Sequence, residues 1–162
     1  MIIESGATKS DWRVVSAAGE EMARFAASGT NVSTMPMSAV EAVVRDVCGQ
    51  ILEQGIAIDA VYMYTAGVVT AGVRTALMQT FQSIFAGATV EIEDDLTAAA
   101  RATCGHCAGI VAILGTGSNS CQFDGEKIVK RIYSGGFILG DEGSAATLGK
   151  LFIADLLKGL VP

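Results

Sequence analysis

Strand-like and helical patterns alternate along this chain. It opens with three strand-like runs joined by short turns, Met1–Glu4, Asp11–Val15 and Glu20–Ala27. Consecutive strands with short connections pair in antiparallel fashion, so these runs predict a three-stranded meander. The pattern then becomes helix, strand, helix, strand, helix, and strands separated by helices favour parallel pairing. The chain therefore predicts a mixed α/β sheet with flanking helices.

Apolar spacing and glycine positions mark the later elements. Valine and isoleucine recur at helical spacing after Ser38, which precedes the helix, and Gly55 is placed to end it. The next four elements are a strand, a helix that ends near Gly87, another strand and an alanine-rich helix: Ala60–Tyr64, Val73–Phe85, Thr89–Ile92 and Leu96–Thr103.

The pattern of the first residues begins again in the last third of the chain. Three strand-like runs, Gly109–Leu114, Ser120–Phe123 and Lys127–Tyr133, predict a second meander, and a helical stretch follows at Ser144–Lys158. A three-stranded sheet with one helix leaves a large apolar face uncovered. We expect a first lobe over residues 1–106, an incomplete second lobe over 107–162, and a chain that is part of a longer protein.

Two glycine turns carry the strongest chemical signal. Glycine permits positive φ and has no Cβ, so a glycine turn at a hairpin tip can offer backbone N–H groups to an anion. Neither turn matches the G-x-x-x-x-G-K-[ST] or G-x-G-x-x-G patterns. A single turn of this kind is more often an ordinary connection, but two at corresponding positions make binding of one polyphosphate between two lobes an equally good interpretation. Their residues are Gly6, Ala7, Thr8 and Lys9 in the first turn, and Gly115, Thr116, Gly117 and Ser118 in the second.

Composition excludes several partners. Apolar residues make up 51% of the 162 residues, yet no apolar run approaches the roughly 18 residues that span a bilayer. The net charge of −6 and the lack of a Lys/Arg cluster argue against nucleic acid. The N-terminus shows no secretory signal, so we expect a cytoplasmic protein whose four cysteines are reduced. Any phosphate would have to be held by backbone groups and a metal ion.

The order of the motifs resembles the N-acetylglucosamine kinase and BadF/BadG-type ATPase family, within the actin-like superfamily. The resemblance rests on Ile3–Trp12, on Asp95 at the head of an alanine-rich helix, and on the segments Leu114–Asn119 and Leu139–Ala145, which contain GTGSN and GDEGSA. It implies two ribonuclease-H-like lobes with ATP in the cleft, of which this chain holds the first lobe and the start of the second.

The resemblance also implies a site. It assigns the two glycine turns to ATP phosphates, Asp95 as the general base, and Asn31, Asn119 and Asp141 as contacts to the hydroxyls of an amino sugar. Glu4 would organise Mg²⁺, although relatives usually carry Asp there. The extra methylene moves the carboxylate by roughly 1 Å, and Mg²⁺ demands near-ideal octahedral geometry. Lys9 would supply a cation for the γ-phosphate.

Several alternatives stay open at this stage. Asp94 or Asp95 could cap the helix that follows, and we favour Asp94 as the cap and Asp95 as the base. Asp141 and Asn31 could be ordinary turn residues. The motif Cys104-Gly105-His106-Cys107 lies at a helix C-terminus, where the dipole disfavours a thiolate, so redox or zinc chemistry is the less favoured interpretation.

Three functions are compatible with the sequence. The leading hypothesis is an ATP- and Mg²⁺-dependent sugar kinase, with little turnover expected from this chain alone. The alternatives are an ATPase that couples hydrolysis to conformational change and a lobe that binds sugar or nucleotide without catalysis. An exposed apolar face on the incomplete second lobe would favour a homodimer.

Overall fold

The computed structural model describes residues 1–67 and 69–161, so Pro162, the last residue of the expected second lobe, lies outside the described residues. The chain opens with a meander of β1 (Ile2–Ser5), β2 (Lys9–Val15) and β3 (Glu21–Ser28). Both strand pairs are antiparallel, and Ile3 pairs with Trp12. The predicted meander is confirmed.

Alternating helices and strands extend this sheet. They are α1 (Met37–Glu53), β4 (Ala60–Thr65), α2 (Ala71–Ile84), β5 (Thr89–Asp94) and α3 (Asp95–Cys104). β4 pairs with β1 and with β5 in parallel, which gives the strand order β3-β2-β1-β4-β5. The predicted mixed α/β sheet with flanking helices is confirmed.

Residues on the inner face of this sheet form the core against α1 and α2. Ile3, Trp12, Met63 and Ile92 occupy one row of paired positions across β2, β1, β4 and β5, and all four are fully buried. The ring centroids of Trp12 and Phe81 are 6.4 Å apart in a tilted arrangement. Because side chains alternate between faces, the next inner row lies two residues further along each strand and contains Ser10, Ser5 and Thr65 on β2, β1 and β4.

A separate three-stranded sheet follows in the order β6-β7-β8, with antiparallel pairing throughout. Its strands are β6 (Gly109–Leu114), β7 (Ser118–Phe123) and β8 (Ile128–Ile132), and the helices α4 (Gly136–Leu139) and α5 (Ala145–Leu157) come after it. The second predicted meander is confirmed, while α4 was not predicted.

Contacts divide the chain into a unit over residues 1–98 and a unit that begins at Ala99. The division falls within α3, and the expected lobe boundary at 106/107 stays a prediction. Within the described ranges, no helix combines the length and the hydropathy that a membrane span requires.

Many predicted boundaries differ from the observed ones by one or two residues, and three of these differences have a clear cause. α1 begins at Met37 after Pro36, which has extended backbone and no side-chain cap bond, so Ser38 lies inside the helix. Proline fixes φ in advance and suits the helix entrance, and this preference overrode the capping chemistry of serine. β5 continues to Asp94, two residues past Ile92, because its parallel pairing with β4 extends to Thr65. β7 begins at Ser118, which pairs with Leu114.

Candidate functional site

The first glycine turn is a closed hairpin tip. The Gly6 N–H donates to the Lys9 carbonyl at 3.0 Å, and β1 and β2 stay paired up to Ser5 and Ser10. The side chains of Ala7, Thr8 and Lys9 are exposed, as a turn that meets a ligand requires. The structure therefore places the four predicted residues together at one accessible tip.

Gly29 packs against the backbone of this turn, a contact that the sequence pattern does not indicate. A Cβ on Gly29 would lie 2.3 Å from the Gly6 carbonyl oxygen and 2.7 Å from the Thr8 nitrogen, so only glycine fits without movement of the turn. The sequence offers a weak signal, because Gly29 lies in a small polar segment that resembles any turn.

Three buried hydroxyl residues lie at the strand ends beneath the turn. Ser5, Thr30 and Thr65 are fully buried. The Ser5 Oγ lies 2.7 Å from Thr30 Oγ1 and accepts the Thr30 N–H at 2.8 Å. Thr30 Oγ1 lies 3.3 Å from Thr65 Oγ1, and the Thr65 hydroxyl also donates to the Thr30 carbonyl. We call these three residues the hydroxyl network, which the sequence pattern does not indicate.

Glu4 and Asp95 form a pair of interacting carboxylates in the first unit. Partial burial raises the pKa of Glu4, and the negative charges of Asp95 and Asp11 raise it further. Asp11 itself accepts hydrogen bonds from Arg24 and Arg13, which lower its pKa. The structure thus brings Asp95 and Glu4 close enough for their charges to interact.

Asp94, rather than Asp95, caps the helix at this strand end. Asp94 Oδ1 accepts the Thr97 backbone N–H and the Thr97 hydroxyl, both at 2.8 Å. An acidic side chain that accepts an N–H group in the first turn is the usual N-cap arrangement. The predicted assignment of the cap to Asp94 is confirmed.

The Glu4 carboxylate suits a magnesium ion that is shared with phosphate. Mg²⁺ is commonly held by one or two carboxylates, several waters and substrate phosphate oxygens. Glu4 Oε1 would lie 4.0 Å from a Cβ on Gly6, so this carboxylate borders the first glycine turn. Among the described residues, no group of three or more Asp, Glu, His or Cys side chains could enclose a metal. An ion bound here would therefore depend on waters and phosphate.

Asn31 is partly engaged by its own loop. Asn31 Oδ1 accepts the Ser33 N–H at 3.0 Å, and a Cβ on Gly67 would lie 2.6 Å from that oxygen. Gly67 has a φ of +95°, which favours glycine there on conformational grounds as well. The side-chain nitrogen of Asn31 is a hydrogen-bond donor that could bind a ligand hydroxyl.

The second glycine turn is attached to the N-terminus of α5. The carbonyls of Gly115 and Thr116 accept the N–H groups of Ala145 and Ala146 at 2.9 and 3.3 Å. Ser144 caps the same helix by accepting the Thr147 N–H at 3.2 Å. Helix N–H groups that usually lack partners are therefore satisfied by the turn.

Asp141 contacts the second turn directly. Its Oδ1 accepts the Ser118 N–H at 3.2 Å, and a Cβ on Gly117 would lie 3.0 Å from its Oδ2. Asp141 has a φ of +56°, and its carbonyl accepts the Thr147 hydroxyl at 2.8 Å. This geometry makes Asp141 a turn residue that holds Ser118, and its contact to a sugar stays a prediction.

Asn119 lines a small cavity in the second unit. The cavity measures about 240 Å³ and is bordered by serine, tyrosine and glutamate side chains as well as by apolar ones. Its lining residues are Ala112, Leu114, Ser118, Asn119, Ser120, Ile132, Tyr133, Ser134 and Glu142. A cavity with these polar groups could accept a ligand that carries hydroxyls.

The cysteine motif shows no features of a redox or metal centre. Cys104 is the last residue of α3, and Cys107 is exposed. Within residues 1–67 and 69–161 no disulfide joins the cysteines. Elsewhere, burial raises the pKa of the Cys48 thiol to about 12, which makes that residue unreactive at neutral pH.

Solved structures show the same fold. A proposed N-acetylglucosamine kinase from Porphyromonas gingivalis is 41% identical, and the match covers 99% of this chain and 57% of that one with a TM-score of 0.88. A proposed N-acetylglucosamine kinase from Chromobacterium violaceum is 19% identical over 92% of this chain and 53% of that one, with a TM-score of 0.68. The chain thus spans little more than half the length of these proteins.

A more distant structure shares the fold alone. The ROK family glucokinase from Streptomyces griseus, solved with glucose and AMPPNP, is 22% identical over 78% of this chain and 44% of that one, with a TM-score of 0.54. No curated protein matches the chain.

A family model gives the assignment. The model of the BadF/BadG/BcrA/BcrD ATPase family matches residues 3–154, which include both glycine turns, Asp95 and Asp141. This range is nearly the whole chain. On this match, with the turns and carboxylates arranged as described above, the chain belongs to the BadF/BadG/BcrA/BcrD ATPase family.

Proposed function

We propose that this chain provides the first lobe and the start of the second lobe of an ATP-dependent kinase that phosphorylates a hydroxyl of an amino sugar, N-acetylglucosamine or a close analogue. The observation that carries the proposal is the Glu4 carboxylate, which borders the first glycine turn and interacts electrostatically with the Asp95 carboxylate. The 41% identity to the Porphyromonas gingivalis protein, itself a proposed N-acetylglucosamine kinase, supports the same substrate class.

In the proposed mechanism, separate groups bind the ATP phosphates and the magnesium ion. Phosphoryl transfer needs positioning and charge neutralisation more than covalent participation. The Gly6, Gly115 and Ser118 N–H groups already donate within the protein, so other backbone N–H groups of the two glycine turns and the Lys9 ammonium would hold the ATP phosphates. Glu4 would hold Mg²⁺ through its water shell. When bound, Mg²⁺ would neutralise charge on the phosphate oxygens.

Asp95 would act on the sugar. A carboxylate within hydrogen-bond reach of the attacking hydroxyl accepts its proton as the new bond to phosphorus forms. Asp95 is the first residue of α3 and is held at the end of β5 by the fold of the first unit. Asn31, Asn119 and Asp141 would orient the sugar by hydrogen bonds to its hydroxyls.

The direct test is an assay of ADP release by the complete gene product over a panel of amino sugars. We expect ADP release that depends on the sugar and on Mg²⁺, and little turnover by the 162-residue chain alone. A normal turnover rate from the 162-residue chain would contradict the proposal that a kinase of this kind needs the rest of the second lobe.

The family assignment supports a second candidate, an ATPase that couples hydrolysis to conformational change. Such an enzyme would release ADP at the same rate with and without sugar. A lobe that only binds would take up nucleotide or sugar and release no ADP, so the same assay distinguishes the three functions.

A further inference from the structure

The hydroxyl network occupies an unusual place in the first unit. Ser5, Thr30 and Thr65 are polar but fully buried. The neighbours of Ser5 and Thr65 on the same face of the sheet are large apolar residues, Ile3 and Met63. Apolar side chains at these positions would extend the core. Buried hydroxyl groups lose their bonds to water and are tolerated only where protein partners replace them.

Every polar atom of the network has such a partner. One consistent arrangement of protons runs from Ser5 to Thr30, from Thr30 to Thr65, and from Thr65 back to the Thr30 carbonyl. The described part of the chain contains no buried side-chain nitrogen or oxygen without a hydrogen bond. A buried network in which every hydroxyl both donates and accepts a hydrogen bond fixes the chain segments that it joins.

The segments that it joins are those on which the proposed site depends. Ser5 immediately precedes the first glycine turn at Gly6. Thr30 lies between Gly29, which packs against the backbone of that turn, and Asn31, the predicted sugar contact. Thr65 ends β4, and the residue after it, Ala66, accepts the Val32 N–H and donates its own N–H to the Ser5 carbonyl.

We propose that the hydroxyl network is a positioning device that couples the first glycine turn to the Asn31 loop, so that a polyphosphate on the turn and a sugar hydroxyl at Asn31 are held in one fixed relation. Thr30 is the central residue, because it bonds to both other members of the network. Of its two sequence neighbours, Gly29 packs against the first glycine turn and Asn31 has the side-chain amide that would bind the sugar. The inference rests on the proposed function, since it assigns phosphate to the turn.

The test uses amide NMR spectra of the 162-residue chain, titrated with the magnesium complexes of ATP and of inorganic tripolyphosphate. In the unmodified chain we expect the amide signals of Gly6, Ala7, Thr8 and Lys9 to shift, and the Asn31 signals to shift with the same midpoint. Thr30→Val keeps the shape of the side chain and removes its hydroxyl. We expect it to weaken tripolyphosphate binding about tenfold and to abolish the Asn31 response.

Two further variants separate positioning from ordinary stabilisation. Thr30→Ser restores the hydroxyl and should restore both the affinity and the Asn31 response. Thr80→Val removes another buried hydroxyl, which donates to the Ala76 carbonyl at 3.0 Å within α2, and should leave both unchanged. If Thr30→Val does not fold, Ser5→Ala replaces it, with the same expected losses.

Each remaining outcome has a definite meaning. A folded Thr30→Val or Ser5→Ala variant with the affinity and the Asn31 response of the unmodified chain would overturn the coupling. Binding at the turn of the unmodified chain without an Asn31 response would also overturn it, while the proposed function stands. No shift at Gly6–Lys9 with either probe would instead refute phosphate binding at this turn, and the coupling with it.

Discussion

At the scale of single residues, Glu4 has a carboxylate whose ionised form is unfavourable in the folded chain. Its pKa lies above the ordinary value of 4.5 because of partial burial and the charges of Asp95 and Asp11. As pH rises from about 4.5, the unfolded chain loses the proton first while the folded chain retains it. The folded state therefore loses stability until pH exceeds the raised pKa, and the loss persists at neutral pH.

We expect Glu4→Gln to raise the free energy of unfolding at pH 7, because the amide cannot ionise, and to have no effect near pH 3, where glutamate is protonated in both states. Urea unfolding at the two pH values measures this. Glu126→Gln removes an exposed carboxylate and controls for net charge. Equal effects of the two substitutions would show that the environment of Glu4 is unimportant.

Gly29 offers a second test at the scale of a residue. Gly29→Ala would place a Cβ 2.3 Å from the Gly6 carbonyl oxygen, so we expect a loss of about 1–3 kcal/mol in the free energy of unfolding. Gly49→Ala is the matched control, because a Cβ there meets nothing within 4 Å and alanine favours its helix. Chemical denaturation compares them, and an unchanged stability of Gly29→Ala would mean that the turn is not tightly held.

Sequence was informative for some of these residues and silent for others. The Asp94 cap could be predicted because capping depends on a few neighbouring residues. The close approach of Gly29 to the first turn joins segments more than twenty residues apart, and the pairing of Ser5 with Thr30 and Thr65 does the same. Such contacts depend on how β1, β3 and β4 align, which local pattern does not specify.

At the scale of elements, the cap of α5 also supports the second glycine turn. Ser144→Ala should lower the free energy of unfolding by about 1 kcal/mol. It should also speed hydrogen exchange at Ala145 and Ala146, whose N–H groups bond to the turn.

Thr70→Ala removes the corresponding cap of α2, where Thr70 accepts the Val73 N–H at 3.3 Å, and provides the matched control. It should reduce stability without changing exchange at Ala145 and Ala146. If hydrogen exchange at Ala145 and Ala146 is unchanged in Ser144→Ala, the cap does not support the second glycine turn.

The order and type of the main elements followed from the sequence, and their ends did not. Periodicity predicts that a helix or strand exists because many side chains contribute to it. α1 begins after Pro36 and not after Ser38, although either residue could precede a helix. The end of β5 is set by its pairing with β4. The short helix α4 has 4 residues, about one turn, which is too short to show an apolar period.

At the scale of the whole molecule, the second unit exposes many apolar side chains. Leu148, Leu151, Phe152 and Ile153 of α5 are each more than half exposed. Exposed apolar patches favour association. We expect sedimentation velocity to show a mass that rises with protein concentration, and Phe152→Lys to shift it toward the monomer.

Leu52→Lys provides the control, because Leu52 is an exposed leucine on α1 in the first unit. It should leave the concentration dependence unchanged. A monomer at every concentration of the unmodified chain would contradict the predicted self-association.

The central claim is that Asp95 is the base of a sugar kinase, and its most direct test is sugar-dependent ADP release by the complete gene product carrying Asp95→Asn. A general base contributes about 10²–10⁴-fold, so kcat should fall by that factor with little change in the KM for sugar. Asp94→Asn, at the neighbouring cap, should retain kcat. ADP release that survives Asp95→Asn, or that never required sugar, would contradict the account.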